Sequence, residues 1–324
     1  MHFKMMASVA AFALGACVAF AAPASAQDYP TRPVKIMIAF PVGGLLDTVS
    51  RIVGEKMSGL LGQQFIIEAR PGAGGTLATN AVAKADPDGY TIMMINDNHA
   101  LNPSVFKNIP YDSIKDFAPV GFVGSTPLVF AAHPSVGAKD VKSLVEIAKK
   151  DPGAITYGSV GVGSASHLAG EMLGGVAGAK LQHVPYRGGA PALIDLLAGH
   201  VKTMFLSPVI GLQNIQNGKL TGMALAANKR LEILPDLPTM KEAGYPVEAS
   251  YWFGLVAPAG TPPAIVAKLE KALADTLAMP DVRKRLTEMG AIVEPLSGKQ
   301  FGEYIQAEIV KWADIVNKAG VKPE

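Results

Sequence analysis

The stretch Ile36–Asp47 reads IMIAFPVGGLLD, an apolar run that ends in a proline–glycine turn and continues into a helical pattern. A second stretch of the same kind, Ile155–His167, reads ITYGSVGVGSASH. A strand that ends in a glycine turn and opens a helix leaves backbone N–H groups unpaired beyond the sheet, and the helix dipole adds partial positive charge there. The two turns therefore predict that two parts of the chain bind one anionic ligand between them.

The first 26 residues have the pattern of an export signal. His2 and Lys4 form a short basic start, an uncharged apolar run follows, and Ala24-Ser25-Ala26 supplies an A-x-A cleavage site. We predict cleavage after Ala26 and an exported protein. Two alternatives stay open: an uncleaved membrane anchor, because the apolar run approaches the length that spans a bilayer, and lipidation at Cys17.

Composition restricts the classes of function that the chain can have. Cys17 is the only cysteine, so the mature chain has no disulfide, thiolate nucleophile or cysteine-based zinc site. The chain has 29 basic and 27 acidic residues, a formal net charge of +2, and no basic run stands out. We therefore expect no nucleic-acid partner.

Short β-rich runs alternate with helical patterns along the mature chain, which is typical of βαβ units and parallel sheets. An irregular stretch follows the third predicted strand, Tyr90–Ile95. Two extended segments, Ala118–Ala132 and Glu248–Pro258, are interpreted as crossings between two lobes. The predicted fold class is α/β, with each lobe a mostly parallel sheet flanked by helices.

The two crossings divide the chain into three predicted parts. Residues 1–26 are the signal peptide. Residues 27–125 together with 250–324 form lobe 1, and residues 126–249 form lobe 2. An exported chain of this length without disulfides is long enough to bury a core in each of two domains.

Motifs of common enzymes are missing from the chain. It has no P-loop, no HExxH zinc motif and no GxSxG nucleophile elbow, and Gly161-x-Gly163 lacks the third glycine of a dinucleotide fingerprint. The histidines lack metal-ligand spacing, so we expect neither a metal nor a cofactor. One enzymatic alternative stays open, an exported hydrolase built on Ser159, His167 and Asp195.

Several motifs match one family, in order, along nearly the whole mature chain. They are FPVGGxxDxxxR (Phe40–Arg51), EARPGAGG (Glu68–Gly75), ADPDGYT (Ala85–Thr91), HVPYRGG (His183–Gly189) and WFGLVAPAGTP (Trp252–Pro262). On these motifs the chain resembles the tripartite tricarboxylate transporter substrate-binding proteins, the Bug-type periplasmic receptors. The resemblance implies a two-lobed periplasmic binding protein of type II-like fold, with two crossover strands as its hinge.

The resemblance also implies partners. It implies a monomer that binds a small carboxylate, partly through ordered water, and delivers it to membrane permease subunits without catalysing a reaction. The main alternative is a sensor, in which the closed form engages a signalling protein and no transport follows.

The family's ligand site carries over onto the two glycine turns and three nearby segments. The implied ligand-binding residues are Pro41, Val42, Gly43, Gly44, Leu45, Leu46, Asp47, Asn96, His99, Ser159, Gly163, Ser164, Ala165, His167, Arg187 and Ser207. Three of them have an alternative interpretation. Asp47 can cap its helix instead, Arg187 can pair on the surface, and His167 can be a structural hydrogen-bonding residue.

Departures from the family pattern bear on the choice of ligand. Leu45 and Leu46 stand where the family usually has small, proline or polar residues, and Leu206 stands where a polar or acidic residue is frequent. These replacements remove hydroxyl donors and add apolar bulk at the mouth of the site. We therefore expect a carboxylate with an aromatic or aliphatic body in preference to citrate.

Overall fold

The computed structural model describes residues 29–318 and residue 320. The predicted signal peptide, its cleavage site after Ala26 and the alternative lipidation site at Cys17 lie outside the described residues. Within the described part of the chain, no helix is both long and apolar enough to cross a membrane.

The part of the chain assigned to lobe 1 is built on a six-stranded sheet. Its strands are β1 (Val34–Ile38), β2 (Phe65–Ala69), β3 (Thr91–Asn96), β4 (Phe117–Pro127), β10 (Ser250–Pro258) and β11 (Leu296–Ser297), in the order β11-β4-β10-β3-β1-β2. β1 pairs in parallel with β2 and β3, as βαβ units require, whereas β10 runs antiparallel to β3 and β4. The sheet is therefore mixed, because the crossover strand β10 enters it from the opposite direction.

The part assigned to lobe 2 has a five-stranded sheet of the same mixed kind. Its strands are β5 (Val129–Ala132), β6 (Thr156–Ser159), β7 (Gln182–Pro185), β8 (Thr203–Leu206) and β9 (Thr221–Leu225), in the order β7-β6-β8-β5-β9. β6 pairs in parallel with β7 and β8, and β5 runs antiparallel to β8 and β9. Parallel pairing is thus confined to the βαβ units of each sheet.

Ten α-helices lie between or after the strands within the described residues. They are α1 (Leu45–Leu61), α2 (Thr76–Ala83), α3 (Asn98–Val105), α4 (Val141–Lys150), α5 (Ala165–Ala177), α6 (Gly189–Leu197), α7 (Pro208–Gln216), α8 (Pro263–Ala278), α9 (Pro280–Glu288) and α10 (Gly298–Lys318). α1 shows why they form: Val49, Ile52, Val53 and Met57 recur at helical spacing and are all buried. α1 ends at Gly62, whose left-handed backbone (φ 71°) favours glycine.

Two adjacent strands carry the chain between the sheets. β4 continues through Leu128 into β5, and β10 returns the chain to the first sheet. β4 and β10 pair antiparallel from Ser250 opposite Pro127 to Pro258 opposite Phe117. The two crossover strands predicted from the sequence are therefore present and lie side by side.

The two lobes share a continuous apolar core. One buried cluster contains Met93 of the first sheet, the stacked rings of Phe130 and Phe205 in the second sheet, and Trp252 of β10. Trp252 is fully buried, and its indole N–H donates to the Glu308 carboxylate on α10. The side chain of this crossover residue therefore packs in the core.

Candidate functional site

Both glycine turns lie at the carboxyl ends of parallel strands, which is where α/β sheets bind ligands. The first turn joins β1 to α1, and the second joins β6 to α5. The second turn also touches lobe 1, because a Cβ atom built on Gly163 would lie 2.9 Å from Val105 of α3. α3 follows β3, which pairs with β1, so the second turn contacts a helix that begins at the same end of the first sheet as the first turn.

The first turn, Pro41–Gly44, is exposed. Gly43 has a left-handed backbone (φ 84°), and Gly44 precedes α1 with an extended backbone and no side-chain cap. Among the described residues, the N–H groups of Gly44, Leu45 and Leu46 find no acceptor. Together with the dipole of α1, these N–H groups can bind an anion.

The two leucines after this turn lie deeper than the sequence analysis expected. Leu46 is buried in the apolar core of lobe 1, and Leu45 is half-buried against the same core. The expectation that Leu46 adds apolar bulk at the mouth is therefore wrong, because its position on α1 points the side chain at the sheet. Val42 is the exposed apolar residue of this turn, with 64% of the residue accessible.

Asp47 is bound within the turn that it follows. Its Oδ2 accepts the Gly43 N–H at 2.9 Å and the Arg51 Nε–H at 3.0 Å, and its Oδ1 lies 2.9 Å from Arg51 Nη2. Burial by itself would raise the pKa of Asp47, but the hydrogen bonds from Arg51 and Gly43 outweigh it and hold the pKa below its ordinary value. The carboxylate therefore stays ionised and keeps accepting these bonds, as a capping residue does.

The second turn is held by more side chains than the first. Ser164 precedes α5, accepts the His167 N–H at 3.3 Å and donates to the Gly161 carbonyl at 2.7 Å. Gly163 has a left-handed backbone (φ 71°). Within the described part of the chain, the N–H groups of Ala165 and Ser166, at the start of α5, find no acceptor. This turn therefore offers its own pair of donors to an anion.

His167 lies beneath the second turn in a stack of rings. Its Nδ1 accepts the Gly163 N–H at 3.0 Å, so the neutral ring carries its proton on Nε2. The His183 ring stacks on it with centroids 3.9 Å apart, and Tyr157 stacks on His183 at 5.0 Å. Burial lowers the pKa of His167 against the opposing charge of Glu171, and burial with the adjacent His167 lowers that of His183 to about 4. Both rings are therefore neutral at pH 7, and His167 has the structural contacts of its alternative interpretation.

The residues of the hydrolase alternative are not brought together. Ser159 is fully buried, and its Oγ lies 2.6 Å from Nε2 of His183, not from His167. Asp195 instead accepts from the Tyr186 hydroxyl at 2.7 Å and lies 3.2 Å from Nδ1 of His200. The three residues therefore form no nucleophilic triad, and a contact between the buried Ser159 and the ligand stays a prediction.

The segment after β3 contains two predicted site residues, which lie in different surroundings. Asn96 is half-buried at the strand end, and its Nδ2 donates to Asp97 and Asn98. His99 is buried in the core instead, with Nε2 2.8 Å from the Ser113 carbonyl and its ring edge against Phe117. The first turn of α3 directs the ring of His99 into the core, so a contact between His99 and the ligand stays a prediction without support from its side chain.

Two further predicted residues lie in lobe 2. Arg187 is exposed and makes no ion pair within the part of the chain that the structure describes. Ser207 caps α7, and its Oγ accepts the Val209 N–H at 3.2 Å. Arg187 therefore stays a predicted ligand contact with a free guanidinium, whereas the Ser207 hydroxyl already has a structural role.

The structure also reveals an equivalence that the sequence analysis missed. In each turn, a glycine with a left-handed backbone lies two residues before the helix. Its N–H donates to the side chain four residues later. The pairs are Gly43 with Asp47 and Gly163 with His167. The acceptors differ in residue type, so no shared motif is visible. The common spacing, V-G-x-x-x-[DH] at residues 42–47 and 162–167, is the signal that could have found it.

Comparisons with known proteins agree with this architecture. Residues 49–321 match the family model described as the tripartite tricarboxylate transporter family receptor. Protein BugT of Bordetella pertussis (strain Tohama I) is 34% identical over 310 residues, which cover 95% of each chain.

Two solved structures are similar over nearly their whole length. Rpa4515 of R. palustris with adipate has a TM-score of 0.86 and 31% identity, and the match covers 92% of this chain and 100% of that one. MatC (Rpa3494) from Rhodopseudomonas palustris with bound malate has a TM-score of 0.80 and 34% identity, covering 89% and 100%. The chain belongs to the tripartite tricarboxylate transporter receptor family, whose members are periplasmic solute-binding proteins of the Bug type.

Proposed function

We propose that this protein captures a small carboxylate between its two lobes and delivers it to a tripartite tricarboxylate-type permease. The observation that carries the proposal is the pair of equivalent turns, each with free N–H groups at the start of a helix. Backbone N–H groups and helix dipoles bind a carboxylate without a positively charged side chain. This fits a site in which Arg51, close to the first turn, is already paired with Asp47.

Two turns, one on each lobe, suit a ligand with an acidic group at each end. Adipate and malate, the ligands named for two similar structures, are both dicarboxylates. We therefore propose a dicarboxylate as the ligand class, with one carboxylate at each turn. Recognition through backbone N–H groups and ordered water accounts for a site with few charged side chains.

The apolar residues at the turns bear on the body of the ligand. Val42 and Val162 occupy equivalent positions directly before Gly43 and Gly163, and 64% and 48% of them are exposed. Two exposed valines, one on each turn, favour a ligand with an aliphatic or aromatic body over a heavily hydroxylated one. The apolar preference expected from Leu45 and Leu46 is thus proposed to rest on these valines instead.

The proposed mechanism consists of ligand binding and closure of the two lobes. Closing the lobes excludes water and lowers the local dielectric, which strengthens the N–H···carboxylate bonds and creates a surface that only the closed form presents. A permease would bind that surface. In the sensor alternative a signalling protein binds it, and the neighbouring genes separate the two, since permease genes favour transport and a two-component sensor gene favours signalling.

A thermal-shift screen of the ligand-free, refolded protein tests the proposal. Its panel holds aliphatic mono-, di- and tricarboxylates, aromatic acids, amino acids, sugars and phosphate. A ligand at about 100 times its Kd stabilises the folded protein by about 2.7 kcal/mol, which raises Tm by several degrees at this size. A shift with dicarboxylates supports the proposal, and a shift with sugars or phosphate alone refutes it.

A further inference from the structure

We propose that Asp47 and His167 are equivalent positioning residues, each fixing the N–H of a glycine so that the following N–H groups are aimed at the ligand. The inference rests on the proposed function. It assigns a structural role to two residues that were also predicted to contact the ligand. It also predicts a difference between the lobes, because protonation removes the accepting lone pair of His167 Nδ1, whereas a protonated carboxyl group keeps an oxygen that accepts.

The two turns have similar hydrogen-bond lengths and backbone angles at equivalent positions. The glycine N–H lies 2.9 Å from Asp47 Oδ2 in the first turn and 3.0 Å from His167 Nδ1 in the second. The residue before each helix is extended, with φ −83° and ψ 176° at Gly44 and φ −76° and ψ 159° at Ser164. Both acceptor side chains are buried, with 6% and 7% exposed.

The position of each acceptor explains what it does. Asp47 and His167 are each the third residue of their helix, and a side chain there can reach back to N–H groups before the helix. Because the glycine N–H is satisfied within the turn, it cannot bind the ligand. The free N–H groups are the later ones, at Gly44 to Leu46 and at Ala165 to Ser166, and their direction depends on the fixed glycine.

The two acceptors respond differently to acid. The Asp47 carboxylate is held ionised by Arg51 and Gly43 and keeps accepting at mildly acidic pH. A protonated His167 would place a second N–H opposite the Gly163 N–H, and two donors repel. The titratable groups that face His167 are Glu171 on its own helix, His183 on β7 and Tyr157 on β6.

The stacked His183 ring, 3.9 Å away, keeps His167 from turning aside. Protonation of His167 should therefore displace the second turn, while the first turn keeps its geometry.

Two variants of His167 separate the hydrogen bond from the ring. His167→Asn keeps a neutral acceptor, Oδ1, near the position of Nδ1, whereas His167→Gln carries its amide farther out, near the position of Nε2. Both variants lose the ring, its stacking and its titration, so they are matched controls for each other. Amide hydrogen exchange at Gly43 and Gly163 is measured by NMR in the ligand-free protein, and unchanged exchange at Gly43 reports an intact fold.

At neutral pH we expect Gly163 to exchange about tenfold faster in His167→Gln than in His167→Asn, as the loss of one hydrogen bond predicts. In the wild type, protection at Gly163 should fall in step with protonation of His167, followed through its own ring signals. Equal exchange at Gly163 in the two variants would overturn the assignment, as would a His167 that protonates without affecting Gly163.

A binding measurement separates this inference from the receptor proposal. With adipate or malate as the probe, the affinity of His167→Gln should be lower than that of His167→Asn by about tenfold. If neither acid binds the wild type while the exchange pattern holds, the choice of ligand is overturned and the positions of the two acceptors stand.

Discussion

Asp97 is a fully buried carboxyl group directly after β3. Its Oδ1 accepts from Asn96 Nδ2 at 3.2 Å, and burial raises its pKa to about 8. The raised value means that the folded protein prefers the protonated acid. The stabilisation that protonated Asp97 contributes is complete below the pKa of an aspartic acid in the unfolded chain, about 3.9, and is lost as the pH rises through about 8.

Asp97→Asn should therefore stabilise the protein increasingly as the pH rises. We expect the gain over wild type to grow by up to about 1.4 kcal/mol per pH unit between about pH 4 and about pH 8. Urea unfolding at several pH values measures it. Asp86→Asn makes the same change of charge at an exposed site and serves as the control, and parallel pH profiles for Asp97→Asn and wild type would contradict the prediction.

Val42 carries a second prediction at the scale of one residue. Val42→Thr keeps the shape of the side chain and exchanges a methyl group for a hydroxyl. Affinity for the tightest-binding aliphatic acid in the screen should fall about 3- to 10-fold, because one buried methylene contributes about 0.8 kcal/mol, with less loss for a hydroxylated acid such as malate. Calorimetry measures both affinities, and Val310→Thr, at an exposed site on α10, should change neither.

At the scale of the element, the two left-handed glycines form a matched pair. A Cβ atom added to Gly43 would have no neighbour within 4 Å, whereas one added to Gly163 would meet Val105 Cγ1 at 2.9 Å. Gly43→Ala should cost about 1–2 kcal/mol of stability from the left-handed backbone alone. Gly163→Ala should cost about 1–3 kcal/mol more, because the added methyl group is also overpacked against α3.

Chemical denaturation of both glycine variants tests this difference. Val105→Ala, combined with Gly163→Ala in a double-mutant cycle, should recover part of the additional cost, since it removes the atoms nearest to the new methyl group. Equal costs for the two glycine variants, or no coupling to Val105, would show that the second turn does not press on lobe 1.

α3 is the helix that the sequence analysis did not predict, in the stretch described as irregular after the third strand. Pro103 lies inside it, and Asn98, His99 and Asn102 are weak helix formers. The helix forms because Leu101 and Val105, four residues apart, are both buried in the core. That spacing was the available signal, and the polar residues and the proline obscured it.

At the scale of the whole molecule, the buried titratable groups set the pH of greatest stability. Burial lowers the pKa of His99 and of His183 to about 4, so the stabilisation by the neutral rings is lost as the pH falls from about 6.5 to about 4. Asp97 acts in the opposite sense, because its stabilisation is lost as the pH rises through about 8.

Below about pH 6.5, the free energy of unfolding changes more through His99 and His183 than through Asp97, so it rises with pH. Above about pH 6.5 the two histidines no longer contribute a change, and the loss from Asp97 makes it fall. We therefore expect the free energy of unfolding to be greatest near about pH 6.5. The midpoint of urea unfolding, measured between about pH 4 and about pH 9, locates this maximum. A midpoint that rises steadily towards pH 9 would contradict the predicted balance between His99, His183 and Asp97.

The sequence by itself determined the α/β class, the order of most elements and the two crossover strands. Period-2 and period-3.6 patterns, and glycines such as Gly62, are local properties that each segment carries alone. The glycine turns that open α1 and α5 could be predicted for the same reason. Mixed pairing could not, because the direction in which β10 enters the first sheet depends on where the chain returns from lobe 2.

Only the tertiary structure decided which side chains of the predicted site are free. Leu46 and His99 follow the turn and β3 at the right distance along the chain, but packing turns both into the core. Asp47 and His167 have different chemistry in isolation and the same role in the fold, because each lies four residues after a glycine N–H that needs an acceptor. Burial and hydrogen-bond partners are properties of assembled elements, so no single segment of the sequence contains them.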